Sequence, residues 1–167
     1  MKLSIVYYSK TGRTEQMARP IQDGIAKFDA GIEVRAFRLE ELDQAHPENL
    51  AFVNDSTGVV FGTPVYCASE CWQLKQWIDT AGVKLPGKLV GCYATCQYAV
   101  GGADVAIQNV LIQMIVKGAM AYSGGAANGQ PYIHLGPISY NGQEAADCAL
   151  FEVYGTRFAA QASRLCL

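Results

Sequence analysis

The sequence predicts an α/β protein in which an open, mostly parallel sheet is wrapped on both faces by helices. Three observations carry that expectation. Short apolar runs of strand type alternate five times with amphipathic stretches at helical spacing, half of the 167 residues are apolar, and the seventeen glycines and six prolines are scattered rather than periodic. A chain of this length builds one core, so residues 1–167 are read as a single domain.

Leu3 to Tyr8 is an apolar run with β-branched and aromatic residues and no turn formers, which suits a buried parallel strand. After a turn at Ser9 to Thr14, Met17, Ile21, Ile25 and Phe28 recur at helical spacing and predict a helix over 14–28. Pro20 lies inside it, removes the bond to the Gln16 carbonyl and predicts a kink or an irregular first turn. From Ile32 to Leu39 apolar residues alternate with Glu33, Arg35 and Arg38, the pattern of a half-wet strand at a sheet edge. Residues 40–56 are polar around Pro47 and predict a loop or short helix, and Gly58 to Gly62 is the third strand. Leu74, Trp77 and Ile78 share one side of a helix over 70–81, closed by Gly82, which puts Trp77 in the core. Lys88 to Ala94 is the fourth strand. A helix over 103–117 places Ile107, Val110, Leu111, Met114 and Ile115 on an apolar face and stops at Gly118, and 119–122 is the fifth strand. Residues 123–142 hold five glycines and two prolines without a period, a length of irregular chain that points to function; a helix resumes over 143–164.

Charge and composition remove several classes of function. Thirteen basic against fifteen acidic residues leave a net charge of -2, which gives no field for nucleic acid or an anionic membrane. No apolar run approaches the ~20 residues that span a bilayer, and no export signal is visible, so a cytoplasmic location is expected. The six cysteines are read as reduced thiols, and their C-x3-C pairs do not match zinc-ribbon spacing, so no metal is expected. His46 and His134 have no acidic or Cys neighbour at ligand spacing, which gives a triad or a two-His site no support; His134 lies in the glycine-rich segment, near enough in sequence to keep a substrate role open. Gly82 to Leu89 almost spells a P-loop, but Leu89 stands where Ser or Thr would hold magnesium, and the segment precedes a strand instead of following one.

In a parallel sheet the loops that follow the strands leave the same edge, where ligands bind. The first, Ser9-Lys10-Thr11-Gly12-Arg13-Thr14, offers three hydroxyls, a flexible glycine and free amides at a helix start, a combination that suits a terminal phosphate. Capping by Ser9 and Thr14 is the plainer reading, yet it needs only one hydroxyl. The second loop runs from Gly62 to Ser69 and the third from Ala94 to Gly102. A group attached to the phosphate would project between them, where Tyr66 or Tyr98 is placed to cover a ring, although ordinary packing would explain either tyrosine alone.

The S-x-T-G-x-T loop after an N-terminal apolar strand is similar to the FMN phosphate loop of the flavodoxin-like family, and the match spans nearly the whole chain. Phe61-Gly62-Thr63-Pro64, the segment Gln73-Leu74-Lys75-Gln76-Trp77-Ile78-Asp79, Gly87-Lys88 and Gly101-Gly102 more closely resemble the WrbA-type NAD(P)H:quinone oxidoreductases, which are multimeric FMN flavoproteins. The resemblance implies a flavodoxin-like three-layer sandwich whose five parallel strands run in the order 2-1-3-4-5. It implies that Ser9, Thr11, Gly12, Arg13 and Thr14, with Lys10 among them, hold the phosphate of FMN. Thr63, Pro64, Val65, Tyr66, Cys67 and Ala68 would line one side of the isoalloxazine, and Thr95, Cys96, Gln97, Tyr98, Gly101 and Gly102 the other. It further implies NAD(P)H as electron donor, a quinone-like small molecule as acceptor, a homo-oligomer (dimer or tetramer), and chemistry that requires no catalytic side chain because the flavin carries it. The alternative is a flavodoxin-type one-electron carrier that acts with protein partners. Two features favour the enzyme: -2 is weak for electrostatic steering, and Val65 to Ser69 contains no glycine whose peptide flips easily. A flavin-free scaffold on the same fold is a third reading.

Overall fold

In the computed structural model, which describes residues 1–166, the strands are β1 (Lys2–Tyr7), β2 (Glu33–Arg38), β3 (Gly58–Tyr66), β4 (Ser69–Glu70), β5 (Leu89–Cys96), β6 (Met120–Ala121) and β7 (Ile138–Tyr140). The helices are α1 (Arg13–Phe28), α2 (Pro47–Asp55), α3 (Trp72–Thr80), α4 (Ala103–Val116) and α5 (Glu144–Ser163). β2, β1, β3 and β5 lie side by side and parallel, and a fifth position beside β5 is shared by β6 and β7. By sheet position this is the expected order 2-1-3-4-5. The winding reverses between β1 and β3, so α1 and α5 cover one face and α2, α3 and α4 the other.

Each face has its own apolar layer. Met17, Ile21 and Ile25 of α1 pack with Phe151, Tyr154 and Phe158 of α5 against Leu3, Ile5, Val60 and Tyr93. On the opposite face Leu74, Trp77 and Ile78 of α3 and Ile107, Val110 and Met114 of α4 meet Val6, Val59, Phe61 and Val90. Trp77 is 9% exposed and its ring lies 6.1 Å from that of Phe61, as its place on the apolar stripe predicts. Among the described residues no helix is long and apolar enough to cross a membrane, and all six cysteines are free.

Three details depart from the sequence expectation, and one point it leaves open is resolved. Helix α1 runs without interruption through Pro20: the proline is buried on a face held by α5 and the sheet, and that packing outweighs one missing hydrogen bond. Residues 40–56, left open between loop and helix, contain α2, started by Pro47 at its first position, where a missing N–H costs nothing. The segment expected to be a loop after the third strand is a hairpin: β3 continues to Tyr66 and β4 returns antiparallel, pairing Val65 with Glu70. The fifth strand is split. Met120 and Ala121 pair with Leu89 and Val90, the chain leaves the sheet, and Ile138 to Tyr140 return to pair with Ala94 to Cys96.

The excursion between β6 and β7 is fastened by one side chain. Arg157 of α5 donates through Nη1 to the carbonyls of Gly124 (3.3 Å) and Pro131 (3.0 Å), and through Nη2 to those of Gly129 and Gln130 (both 3.1 Å) and, more weakly, Asn128 (3.5 Å). A guanidinium is the one side chain with enough donors in one plane for such a set of acceptors. Arg157→Ala is expected to cost about 2 kcal/mol, in line with loss of charged hydrogen bonds. It should also speed amide exchange selectively over residues 124–131, a pattern that urea denaturation and hydrogen-exchange mass spectrometry check together.

Candidate functional site

The β→α loops converge at the carboxyl edge of the sheet. A cavity of about 240 Å³ there is lined by Lys10, Thr11, Arg13 and Thr14 from the first loop, Pro64, Val65 and Tyr66 from the second, and Thr95, Cys96 and Gln97 from the third. Ten of the residues expected from the sequence therefore meet in one place. A larger hollow of about 700 Å³ lies between α2 and α3, walled by Leu42, Pro47, Leu50 and Trp77. No Lys, Arg or His lines it, and it sits on a flank of the sheet away from the loops.

The first loop ends at Gly12, whose φ of +88° caps α1 in a conformation that side chains resist. Gly12 offers no side chain to the helix, and the amides of Thr11, Gly12 and Arg13 donate to no protein acceptor among the described residues. Three N–H groups at the positive end of a sixteen-residue helix are thus free for an anion. Ser9 is 2% exposed and lies behind the loop, accepting from the Glu15 amide at 3.3 Å, while its carbonyl accepts from Arg38 at 2.6 Å. Thr14 is buried as well; its hydroxyl is 2.8 Å from that of Thr95, and its carbonyl accepts from the Tyr93 phenol at 2.8 Å. Burial holds the Tyr93 phenol far above its ordinary range, so it remains a donor. Ser9 and Thr14 build the loop, whereas Lys10 and Thr11 are exposed at its lip.

The second loop is the β3–β4 hairpin. Its two turn residues, Cys67 and Ala68, have φ of +51° and +59°, the signs of a type I′ turn without the Asn or Gly that usually occupies it. Thr63 does not face the cavity: it is fully buried, accepts from the Cys71 amide at 3.0 Å and donates to the Pro64 carbonyl at 2.9 Å, tying β3 to the start of α3. A second tie went unsignalled in the sequence. Gln113 of α4 donates to Glu70 at 2.7 Å, Ser69 donates to the same carboxylate at 2.7 Å, and Asn109 donates to Ser69 at 3.2 Å. Burial pushes the Glu70 carboxyl up, but the bonds from Ser69, its own backbone, Gln113 and Asn109 outweigh it and hold the group below the usual range.

The third loop leaves β5 at Cys96, whose thiol donates to the Tyr98 carbonyl at 3.3 Å; burial raises that thiol more than nearby Arg13 lowers it, which keeps it protonated. The Gly101 amide closes a turn onto the Tyr98 carbonyl at 3.1 Å, and Gly102, at φ +79°, caps α4. A Cβ on Gly102 would stand 2.4 Å from that of Ala68, so the glycine lets the hairpin tip touch the third loop. Tyr98 and Tyr66 are exposed, 69% and 42%, on opposite loops. His134 lies in the excursion between β6 and β7, outside the cavity lining, and His46 pairs with Asp43 on the surface at 3.1 Å. Among the described residues no group of three His, Cys, Asp or Glu stands close enough to hold a metal.

These features define a doubly wound α/β protein with an anion-suited cleft at the carboxyl edge of its sheet. The chain belongs to the flavodoxin family, whose profile matches residues 5–128. It is 38% identical over 160 residues to a flavodoxin of Clostridium saccharobutylicum, covering 95% of this chain and 96% of that one. It is 22% identical over 204 residues to an NAD(P)H dehydrogenase (quinone) of Archaeoglobus fulgidus, covering 99% of each. A crystal structure of a flavodoxin, WrbA-like protein from Agrobacterium tumefaciens superposes with a TM-score of 0.77 at 20% identity, covering 98% of both chains, which supports the fold. Family membership implies FMN binding and a role in electron transfer.

Glu70→Gln is expected to cost about 1 kcal/mol at neutral pH through weaker bonds to Ser69 and Gln113. The Glu70 carboxyl titrates lower in the folded chain than in the unfolded one. Its share of stability is therefore complete above about pH 4.3 and fades as pH falls through the lowered folded value. Urea denaturation of both proteins should show their difference shrinking on acidification; a difference that stays constant would mean Glu70 is not clamped as an anion.

Proposed function

We propose that this chain holds FMN with its phosphate at the amino end of α1 and its isoalloxazine between the hairpin and the third loop, and that it serves as a flavodoxin-type electron carrier to protein partners. The observation that carries the proposal is the single cavity lined by all three loops, with three free helix-end amides at one side of it. Neutral donors and a helix dipole suit a phosphate, and the apolar and aromatic side chains on either side suit a flat ring system. FMN, once bound, supplies the electron chemistry, and the protein's part is to hold it, shield it and shape its surroundings.

The carrier reading gains from the turn geometry. Residues 65–69 contain no glycine, which by itself favours an enzyme, yet Cys67 and Ala68 already hold the left-handed backbone that a glycine would be needed to supply. The carrier-type relative also matches at 38% identity over nearly its whole length, against 22% for the quinone dehydrogenase. Tyr66, Trp72, Tyr98 and Val100 leave apolar surface on the two loops and the start of α3 next to the hairpin, a surface suited to docking a protein. The second reading is an NAD(P)H:quinone oxidoreductase, soluble and homo-oligomeric. It keeps two supports, the weak net charge of -2 and the similarity to the quinone dehydrogenase over nearly the whole chain.

The purified protein is expected to be yellow or to become so with added FMN, and to bind FMN at least about tenfold more tightly than riboflavin, the margin that a set of phosphate hydrogen bonds supplies. Anaerobic mixing with NADH or NADPH separates the two readings. Slow or no bleaching agrees with the carrier, and rapid bleaching that a quinone reverses would replace it with the enzyme. A colourless protein that takes up no flavin would sink both.

A further inference from the structure

Arg13 opens α1 at the lip of the cavity, and a free guanidinium there would be an obvious partner for a dianion. Its bonds lead elsewhere. Nε donates to Glu144 at 2.5 Å and Nη2 to the carbonyl of Cys96 at 2.8 Å, in a pair of side chains only 23% and 13% exposed. Three elements meet on this one planar group: the first residue of α1, the last residue of β5 and the first residue of α5. The Cys96 carbonyl also accepts from the Asn141 amide at 3.0 Å, so the same atom fixes the chain just beyond β7. A guanidinium fork holds two acceptors at a set distance and angle, which an ammonium or a hydroxyl cannot do. Glu144 neutralises its charge at short range. Burial pushes the Glu144 carboxyl up, but its own helix-start amide and Arg13 outweigh that and keep it ionised.

We infer that Arg13 and Glu144 form a neutral strut that sets the width of the cofactor cavity by holding the exit of β5, and with it the 97–102 loop, against the start of α1, and that Arg13 does not grip the phosphate. The inference rests on the FMN reading above. It assigns the phosphate to the uncharged amides of Thr11, Gly12 and Arg13 and to the Thr11 hydroxyl, and it makes Arg13 and Glu144 positioning residues. A strut acts on the whole cofactor, because the third loop borders the ring system; a phosphate ligand acts on one end alone. Riboflavin, which is FMN without its phosphate, tells the two apart.

The test titrates flavin-free wild type, Arg13→Gln, Arg13→Lys and Glu144→Gln with FMN and with riboflavin, and measures amide exchange over residues 97–102 in the same flavin-free proteins. The strut predicts that Arg13→Gln weakens both ligands by about tenfold, the effect of losing one good charged bond, and changes the ratio of the two dissociation constants by less than about twofold. Arg13→Lys should resemble Arg13→Gln, since charge without the fork is insufficient, and Glu144→Gln should weaken both ligands in parallel. Exchange over 97–102 should quicken in all three variants. The inference is overturned if FMN affinity alone collapses in Arg13→Gln and survives in Arg13→Lys, or if Glu144→Gln tightens FMN relative to riboflavin by freeing the guanidinium. Unchanged affinities or unchanged exchange overturn it too. Should wild type bind neither flavin, the FMN reading fails by itself, and the exchange rates still decide whether Arg13 and Glu144 brace the third loop.

Discussion

The amino end of α1 is the constraint around which the rest of this protein is arranged. A helix leaves its first amides without partners, and here the side chains of the loop take up only that of Glu15, through Ser9, and leave those of Thr11, Gly12 and Arg13 open. What could have satisfied them is engaged behind the loop: Ser9 with Glu15 and Arg38, Thr14 with Thr95 and Tyr93. The hydroxyls thus make the loop rigid while the backbone remains open. Because the sheet is parallel, the same edge collects the exits of β3 and β5, so the open amides face a gap with walls on two sides.

One wall is maintained at a cost. Two non-glycine residues in the left-handed region, Cys67 and Ala68, store about 1–2 kcal/mol each, which the hairpin alone would not sustain. Its supports are buried and polar: Thr63 fixes β3 to α3, and the Ser69–Glu70 pair is bonded to Asn109 and Gln113 of α4. The other wall is reached through Gly102, whose missing side chain admits Ala68. The hairpin tip is therefore held by its bonds to α3 and α4, and its conformation follows from the scaffold more than from its own sequence.

Much of this was legible in the sequence, for identifiable reasons. The five sheet positions follow from buried apolar runs, and α1, α3, α4 and α5 from apolar residues at helical spacing, so local pattern and final burial agree. The first loop was legible because hydroxyls, glycine and a helix start fall within six consecutive residues. The hairpin was not, because its usual Asn-Gly or Asp-Gly signature is absent and β4 is two residues long. Nor was the split fifth strand, whose halves are held by pairing with β5 and by Arg157 on α5, more than fifteen residues beyond. Among the expected site residues, Thr63 and Ser9 do not line the cavity: both are buried, Thr63 tying β3 to α3 and Ser9 receiving the Glu15 amide. Glu70 and Glu144 gave no signal, since their partners Gln113 and Arg13 lie 43 and 131 residues away in the chain.

The proposed cofactor site depends on free amides at the start of α1 receiving a phosphate. Amide nitrogen–proton correlation spectra of the flavin-free protein, titrated separately with FMN and riboflavin, read those groups one by one. Large downfield proton shifts are expected at Thr11, Gly12 and Arg13 with FMN and not with riboflavin, while the amides of residues 65–68 and 97–102 move with both. Shifts at residues 11–13 that are equal for the two flavins, or missing with FMN, would contradict that placement of the phosphate.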